Sequence, residues 1–210
     1  QGPHAHSITP DPAGQYFFVP DLGIDKVMVY RFDTAEGKLV PHKIPWVHTK
    51  AGAGPRHITF SPSGRHAYLI NEMDVSITAF AYDSVLGTLR ELTTVTGIPE
   101  GYDGRISGSD IHVTPSGRFL YGSVRHQDSI VSFEIDQVSG KLRYVDHVPS
   151  RGNVPRNFAI DPTGDFLLVA NQGSDAVVTF RIDQQSGELT STGEIIQVHR
   201  PVCLKFMPEF

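Results

Sequence analysis

The stretch Gly52–Glu72, "GAGPRHITFSPSGRHAYLINE", decides how this chain folds. Two runs rich in β-branched and aromatic residues flank Ser61-Pro62-Ser63-Gly64. Such residues pack well on a pleated surface. Proline presets φ for a turn and glycine supplies the left-handed position that closes it, so the stretch reads as a β-hairpin. Arg56 and His57 then stand at the start of one strand and Glu72 at the end of the other, all at the end away from the turn.

Working outward, the same pattern occurs four times. Pro-x-Gly turns end at Gly14, Gly64, Gly117 and Gly164, at steps of 50, 53 and 47 residues. After each comes a second strand pair, such as "KVMVYRF" (26–32) or "SIVSFEI" (129–135). Asp-x-x-x-Gly turns within these pairs end at Gly37, Gly87, Gly140 and Gly187. Four short antiparallel strands per unit, no helix, and a period near 50 predict an all-β fold, a β-propeller of four-stranded blades. The repeats span about 6–45, 56–96, 109–149 and 156–196, within one partial propeller domain covering 1–210.

The end of the chain, "RPVCLKFMPEF" (200–210), matches the start of a repeat through its Pro, its strand and its Pro turn, and then stops. Residues 202–206 are therefore expected to form a lone closing strand. Propellers close by completing one blade from both chain ends, because closure removes open sheet edges. The expectation is a ring completed by blades upstream of Gln1 or by another chain, with about 130 further residues needed at this period.

Composition narrows the function. With 39% hydrophobic and 20% charged residues and a net charge of −5, the chain lacks the basic face that a nucleic acid or an anionic membrane would select. No apolar run approaches the roughly 20 residues of a membrane span. The single cysteine, Cys203, excludes an internal disulfide and a thiolate zinc cluster. That suits the cytosol, and equally a secreted domain without disulfides. No cofactor or metal is called for; His4-x-His6 places two imidazoles on one face, but no third ligand is signalled nearby.

Counting from the turn glycines locates a candidate site. Eight residues before them stand His6, Arg56, Ser109 and Arg156; eight after stand Leu22, Glu72, Arg125 and Gln172. Even offsets share a face in a regular hairpin, so all eight are expected at one mouth of the central channel. Structural readings exist for each: an Arg56–Glu72 ion pair within one blade, loop bracing by Arg125 and Arg156, and a hydrogen-bonding strand-end role for His6, His57 or His112. Asp25, Asp74, Asp128 and Asp175 recur in every unit and read as turn caps. The eight mouth positions instead vary from blade to blade into complementary charges, which favours chemistry.

The stretches "HSITPDPAGQYFFVPDLG", "GAGPRHITFSPSGRHAYLINE", "SDIHVTPSGRFLYGSVR" and "PVCLKF" together resemble the lactonase family of seven-bladed β-propellers. That family includes a bacterial type of 6-phosphogluconolactonase and the fungal carboxy-cis,cis-muconate cyclase. The resemblance covers essentially the whole chain, as the C-terminal part of a member. It implies an active site of His6, Arg56, Glu72 and Arg125, although "SVRH" around Arg125 departs from the usual Asn-Arg or Asp-Arg. The implied substrate is a small anionic lactone or carboxylate, bound by Arg56, Arg125, Arg156 and His57. His6 would act as general base at a pKa near neutral, with Glu72 sharing that role or orienting it. Lactone hydrolysis is the first expectation, cyclisation of a carboxymuconate the second, and a non-catalytic binding module the third.

Overall fold

The computed structural model describes residues 2–207. Its strands form four four-stranded antiparallel sheets, each in simple chain order. The first holds β1 (Thr9–Pro10), β2 (Tyr16–Asp21), β3 (Lys26–Asp33) and β4 (Lys38–His48). The second holds β5 (Pro55–Phe60), β6 (His66–Asn71), β7 (Ser76–Asp83) and β8 (Thr88–Thr96). The third holds β9 (Ser107–Val113), β10 (Phe119–Arg125), β11 (Ser129–Ile135) and β12 (Leu142–Pro149). The fourth holds β13 (Pro155–Ile160), β14 (Phe166–Asn171), β15 (Ala176–Ile182) and β16 (Leu189–Gln197). The only helical segment among the described residues is one 3-10 turn, Gln172–Ser174, so no helix is long and apolar enough to cross a membrane.

The turns follow from their residues. Asp, Ser or Thr, then Pro, then Gly three residues on is the pattern of a type I turn. In all four blades the glycine N–H closes it onto the first residue's carbonyl, from Gly14 to Asp11 at 2.9 Å through Gly164 to Asp161 at 2.9 Å. Each blade presents apolar side chains on both faces, so the cores lie between blades. Phe18, Val27 and Val29 of the first pack against Leu69 and Phe80 of the second. Ile70 and Ile77 of the second meet Leu120 and Val131 of the third, and Phe119 and Tyr121 of the third meet Phe158 and Val169 of the fourth.

The Asp-x-x-x-Gly turn is where one blade grips the next. Gly87, Gly140 and Gly187 have φ of +64°, +72° and +77°, and a Cβ there would lie within 2.3–2.5 Å of the rings of Tyr16, His66 and Phe119 on the preceding blade. Only glycine meets both demands. Buried Tyr68 and Tyr121 add a hydroxyl to the same contact, donating to the carbonyls of Gly140 at 3.1 Å and Gly187 at 2.8 Å. The recurring aspartates extend this stapling. Asp25 accepts from the N–H groups of Gly52 and Gly54, Asp128 from Val154, and Asp175 from Arg200, all in the segments that lead to the next blade.

Two expected strands depart from the sequence reading, one shortened and one missing. The first strand of the first repeat pairs only through Thr9 and Pro10, with an isolated bridge from Ala5 to Asp21. Residues 202–206 form no strand: no ladder pairs them with any described segment, and a strand exists through its ladder. Their tie is the Leu204 N–H, which donates to Asn157 Oδ1 at 2.6 Å. The Pro turn expected at Pro208 lies outside the described residues.

Replacing Tyr121 by Phe strands the Gly187 carbonyl between two blades. A loss of about 1–3 kcal/mol is expected, the cost of a buried unsatisfied acceptor. Urea unfolding should show it as a lower midpoint at unchanged m; an unmoved midpoint would show that this hydroxyl adds nothing to the packing between the blades.

Candidate functional site

The inner strands β5, β9 and β13 lie side by side with Arg56, Ser109 and Arg156 near their starts, while Glu72 follows β6, Arg125 ends β10 and His6 precedes β1. Here the regular hairpin assumed from sequence does not apply. Pro55 pairs with Asn71 and His57 with Ile70, leaving Arg56 as the extra residue of a β-bulge. A similar bulge leaves out Arg156, and another irregularity falls at Ser109 and Asp110. A bulge re-aims side chains that alternation would separate. Consecutive Arg56 and His57 accordingly approach each other, Nη1 to Nε2, at 3.3 Å.

Arg56 is fully buried, at 1% exposure, yet charged. Its Nε donates to Glu72 Oε2 at 2.8 Å, and its Nη1 to the Ser109 carbonyl of the next blade at 2.5 Å. Burial, then the neighbouring Arg125, lowers its pKa to about 10 against the pull of Glu72, so it remains a cation at neutral pH. Arg125 approaches the same Glu72 oxygen at 3.0 Å. Its Nη2 also donates to Ser107 Oγ at 2.7 Å and to the Gly108 carbonyl at 3.0 Å, while its buried Nε has no partner. One carboxylate thus joins arginines from two blades. Gly108 allows the approach: its N–H donates to the Glu72 carbonyl at 2.9 Å, and a Cβ would fall 2.3 Å from the Asn71 carbonyl oxygen. Burial pushes the Glu72 pKa up, but Arg125 and Arg56 outweigh it and hold the group below its usual 4.5.

His6 is exposed, and its Nδ1 lies 3.2 Å from His57 Nε2. Partial desolvation, then the charge of Arg56, with smaller contributions from His57 and Arg156, lowers its pKa from 6.5 to about 4 despite Glu72. The expectation of a near-neutral pKa is corrected: desolvation first, and then the surrounding cations, disfavour the imidazolium. Glu72 makes no hydrogen bond to His6, so it does not orient that ring. Arg156 makes no ion pair or side-chain hydrogen bond among the described residues, although its charge reaches both His6 and Arg56. Its backbone carbonyl accepts from Ser109 Oγ at 2.6 Å.

His57, expected to bind substrate, has no ring nitrogen free for it. Its Nδ1 stands 2.6 Å from Asp110 Oδ1, and its Nε2 faces His6 and Arg56. Asp110 is 2% exposed and was not singled out from the sequence. Its other oxygen meets His112 Nε2 at 3.0 Å, the Phe158 N–H at 3.3 Å and the Asn157 side-chain amide. Burial raises its pKa, but His112 and then His57 outweigh that and hold it well below the usual carboxylate range. The signal was one column over: seven residues before the turn glycines stand Ser7, His57, Asp110 and Asn157, which vary between blades just as the chosen columns do. Of the other mouth positions, Leu22 and Gln172 line separate surface hollows. His4 turns back to the Gly2 carbonyl at 2.7 Å, away from any pairing with His6.

A cavity of about 390 Å³ continues along the inner strands below this cluster, with His57, Asp110, His112, Asn157, Cys203 and Lys205 among its walls. The cluster holds three arginines against two carboxylates, Glu72 and, on the far side of His57, Asp110, which leaves a net positive charge beside a neutral imidazole.

The family model "Lactonase, 7-bladed beta-propeller" matches residues 1–206. The chain belongs to this family. It is 39% identical over 206 residues to a 6-phosphogluconolactonase of Bacillus subtilis, covering 98% of this chain and 58% of that protein. Among solved structures, the periplasmic gluconolactonase of Pseudomonas aeruginosa superposes with a TM-score of 0.91 at 41% identity, over 98% of this chain and 57% of that one. A protein from Lactobacillus plantarum superposes at 0.93 with 33% identity, over 99% and 60%. The chain therefore spans somewhat under two thirds of the length of these relatives.

Replacing Glu72 by Gln keeps the shape and removes the charge that holds two arginines together. A loss of about 1.5–3 kcal/mol at neutral pH is expected, the range for hydrogen bonds to charged groups. Because the folded-state pKa is depressed, this contribution is complete above about 4.5 and disappears as pH falls through the folded value. Unfolding of parent and variant from pH 7 to pH 3 should therefore converge on acidification. Parallel curves would place the stabilisation elsewhere.

Proposed function

We propose that the whole protein hydrolyses a small sugar lactone, the class that the names 6-phosphogluconolactonase and gluconolactonase share, and that this lactone carries an anionic group, as the first of those names suggests. The observation that carries this reading is an arginine without a partner, Arg156, whose charge reaches an imidazole held neutral, His6. Arg56 and Arg125 are committed to Glu72 and to backbone carbonyls, whereas the Arg156 fork is available to a phosphate or carboxylate.

In the reaction, a water attacks the lactone carbonyl carbon and its proton passes to His6. The carbonyl oxygen becomes an oxyanion beside the mouth's guanidinium charge, with the remaining Arg56 donor, Nη2, as its partner. The ring C–O bond then breaks, and the departing alkoxide oxygen recovers the proton from His6. The product is an open-chain hydroxy acid. Glu72 keeps the two arginines at a fixed separation that their mutual repulsion would otherwise enlarge.

The test compares 6-phosphogluconolactone with gluconolactone on the complete protein. The phosphorylated lactone should have the higher kcat/KM, by about tenfold or more, and Arg156→Ala should lower it ten- to a hundredfold, mainly through KM. Equal kcat/KM for the two lactones would remove the anion from the reading. No hydrolysis of either would leave a propeller that binds without catalysing.

The pH profile tests the base. Protonation of His6 silences it, so kcat/KM should stay level from neutral pH down to about 5 and fall tenfold per unit below about 4. His6→Gln should lose most of the rate together with that limb. A limb centred near 6.5 would mean that the mouth's cations do not govern His6.

A further inference from the structure

We propose that Asp110 and His57 are positioning residues that fix the tautomer of His6 and thereby leave its Nε2 as the basic nitrogen. The inference deepens the lactonase reading and rests on it for the reaction, but the hydrogen-bond argument stands on geometry alone.

The chain of contacts runs Asp110 Oδ1, His57 Nδ1 at 2.6 Å, then His57 Nε2, His6 Nδ1 at 3.2 Å. An ionised carboxylate only accepts hydrogen bonds, so His57 Nδ1 must carry hydrogen and donate. Asp110 is committed to that state. Oδ1 also accepts the Ile111 N–H at 3.0 Å, and Oδ2 accepts from the Phe158 N–H and the Asn157 amide and faces His112. The far nitrogen of His57 faces Arg56 Nη1 at 3.3 Å, and a guanidinium has only hydrogens to offer. His57 Nε2 is therefore an acceptor, shared between Arg56 and His6. His6 Nδ1 must donate to it. The hydrogen of neutral His6 sits on Nδ1, and the lone pair remains on Nε2, which makes no hydrogen bond among the described residues.

Three blades contribute one member each, and the order donor-to-acceptor is set from the buried end. An Asp at the far end of an imidazole is a general device for holding a tautomer; here it acts through one intervening ring.

Histidine 15N NMR on the full-length protein reads this directly, with the His6 signals assigned by their loss in His6→Gln. The parent should show His6 as the Nδ1–H tautomer. In Asp110→Asn an amide N–H can be presented to His57 Nδ1 at the short 2.6 Å contact, which outcompetes the longer 3.3 Å approach of Arg56 Nη1 on the other side of the ring, so His57 Nε2 gains the hydrogen, donates to His6 Nδ1, and His6 should switch to Nε2–H. That variant should lose on the order of a hundredfold in kcat, the scale of misplaced general-base catalysis, with KM nearly unchanged. His57→Gln keeps an acceptor near the Nε2 position and should retain the parent tautomer and most of the rate; His57→Phe keeps the ring shape without it and should lose both. If Asp110→Asn does not fold, the Gln and Phe pair decides. The proposal is overturned if the parent His6 is Nε2–H, if Asp110→Asn leaves it Nδ1–H, or if Gln and Phe at position 57 behave alike. The lactonase reading fails separately, by absence of lactone hydrolysis in a parent whose tautomers follow the proposal.

Discussion

Everything in this molecule depends on the inability of a blade to bury itself. A four-stranded meander exposes two broad faces, and here both are apolar, so each sheet must be covered by the next. The clasp is local and repeated: an aromatic or imidazole ring of one blade lies on the turn glycine of its neighbour, and a tyrosine hydroxyl fastens the same turn. Because the cores lie between sheets, the spacing of adjacent inner strands is fixed by side-chain packing. That spacing brings a guanidinium in one blade to a carbonyl in the next.

The mouth is a consequence of this arrangement. Arg56 reaches Ser109, Arg125 reaches Glu72, and His57 reaches Asp110, each contact crossing a blade boundary. Cations crowd together there only because Glu72 lies between two of them. Partial desolvation, and then the residual positive charge, lower the basicity of His6. The same charge would attract the proposed anionic substrate.

His57 and Asp110 show how much a position's surroundings add to its reading. In the sequence His57 is a histidine next to an arginine; in the structure one ring nitrogen meets a buried carboxylate and the other faces a second imidazole and a guanidinium.

The repeat, the turn types, the four-stranded blades and the polar columns at the strand ends were all legible in the sequence. They depend on local chemistry, since Pro and Gly set turn dihedrals and alternation sets faces within a few residues. Arg56, Glu72 and His6 were legible for the same reason, as departures from an otherwise regular repeat. Tertiary structure decided the rest. The bulge at Arg56 arises from how the strand start fits its neighbours, and it alone brings Arg56 and His57 together. The lowered basicity of His6 and the partnership of Asp110 with residues 47 and 53 positions away are sums over several blades. Desolvation and Coulomb interaction act through space, and no reading along one strand contains the distances on which they depend.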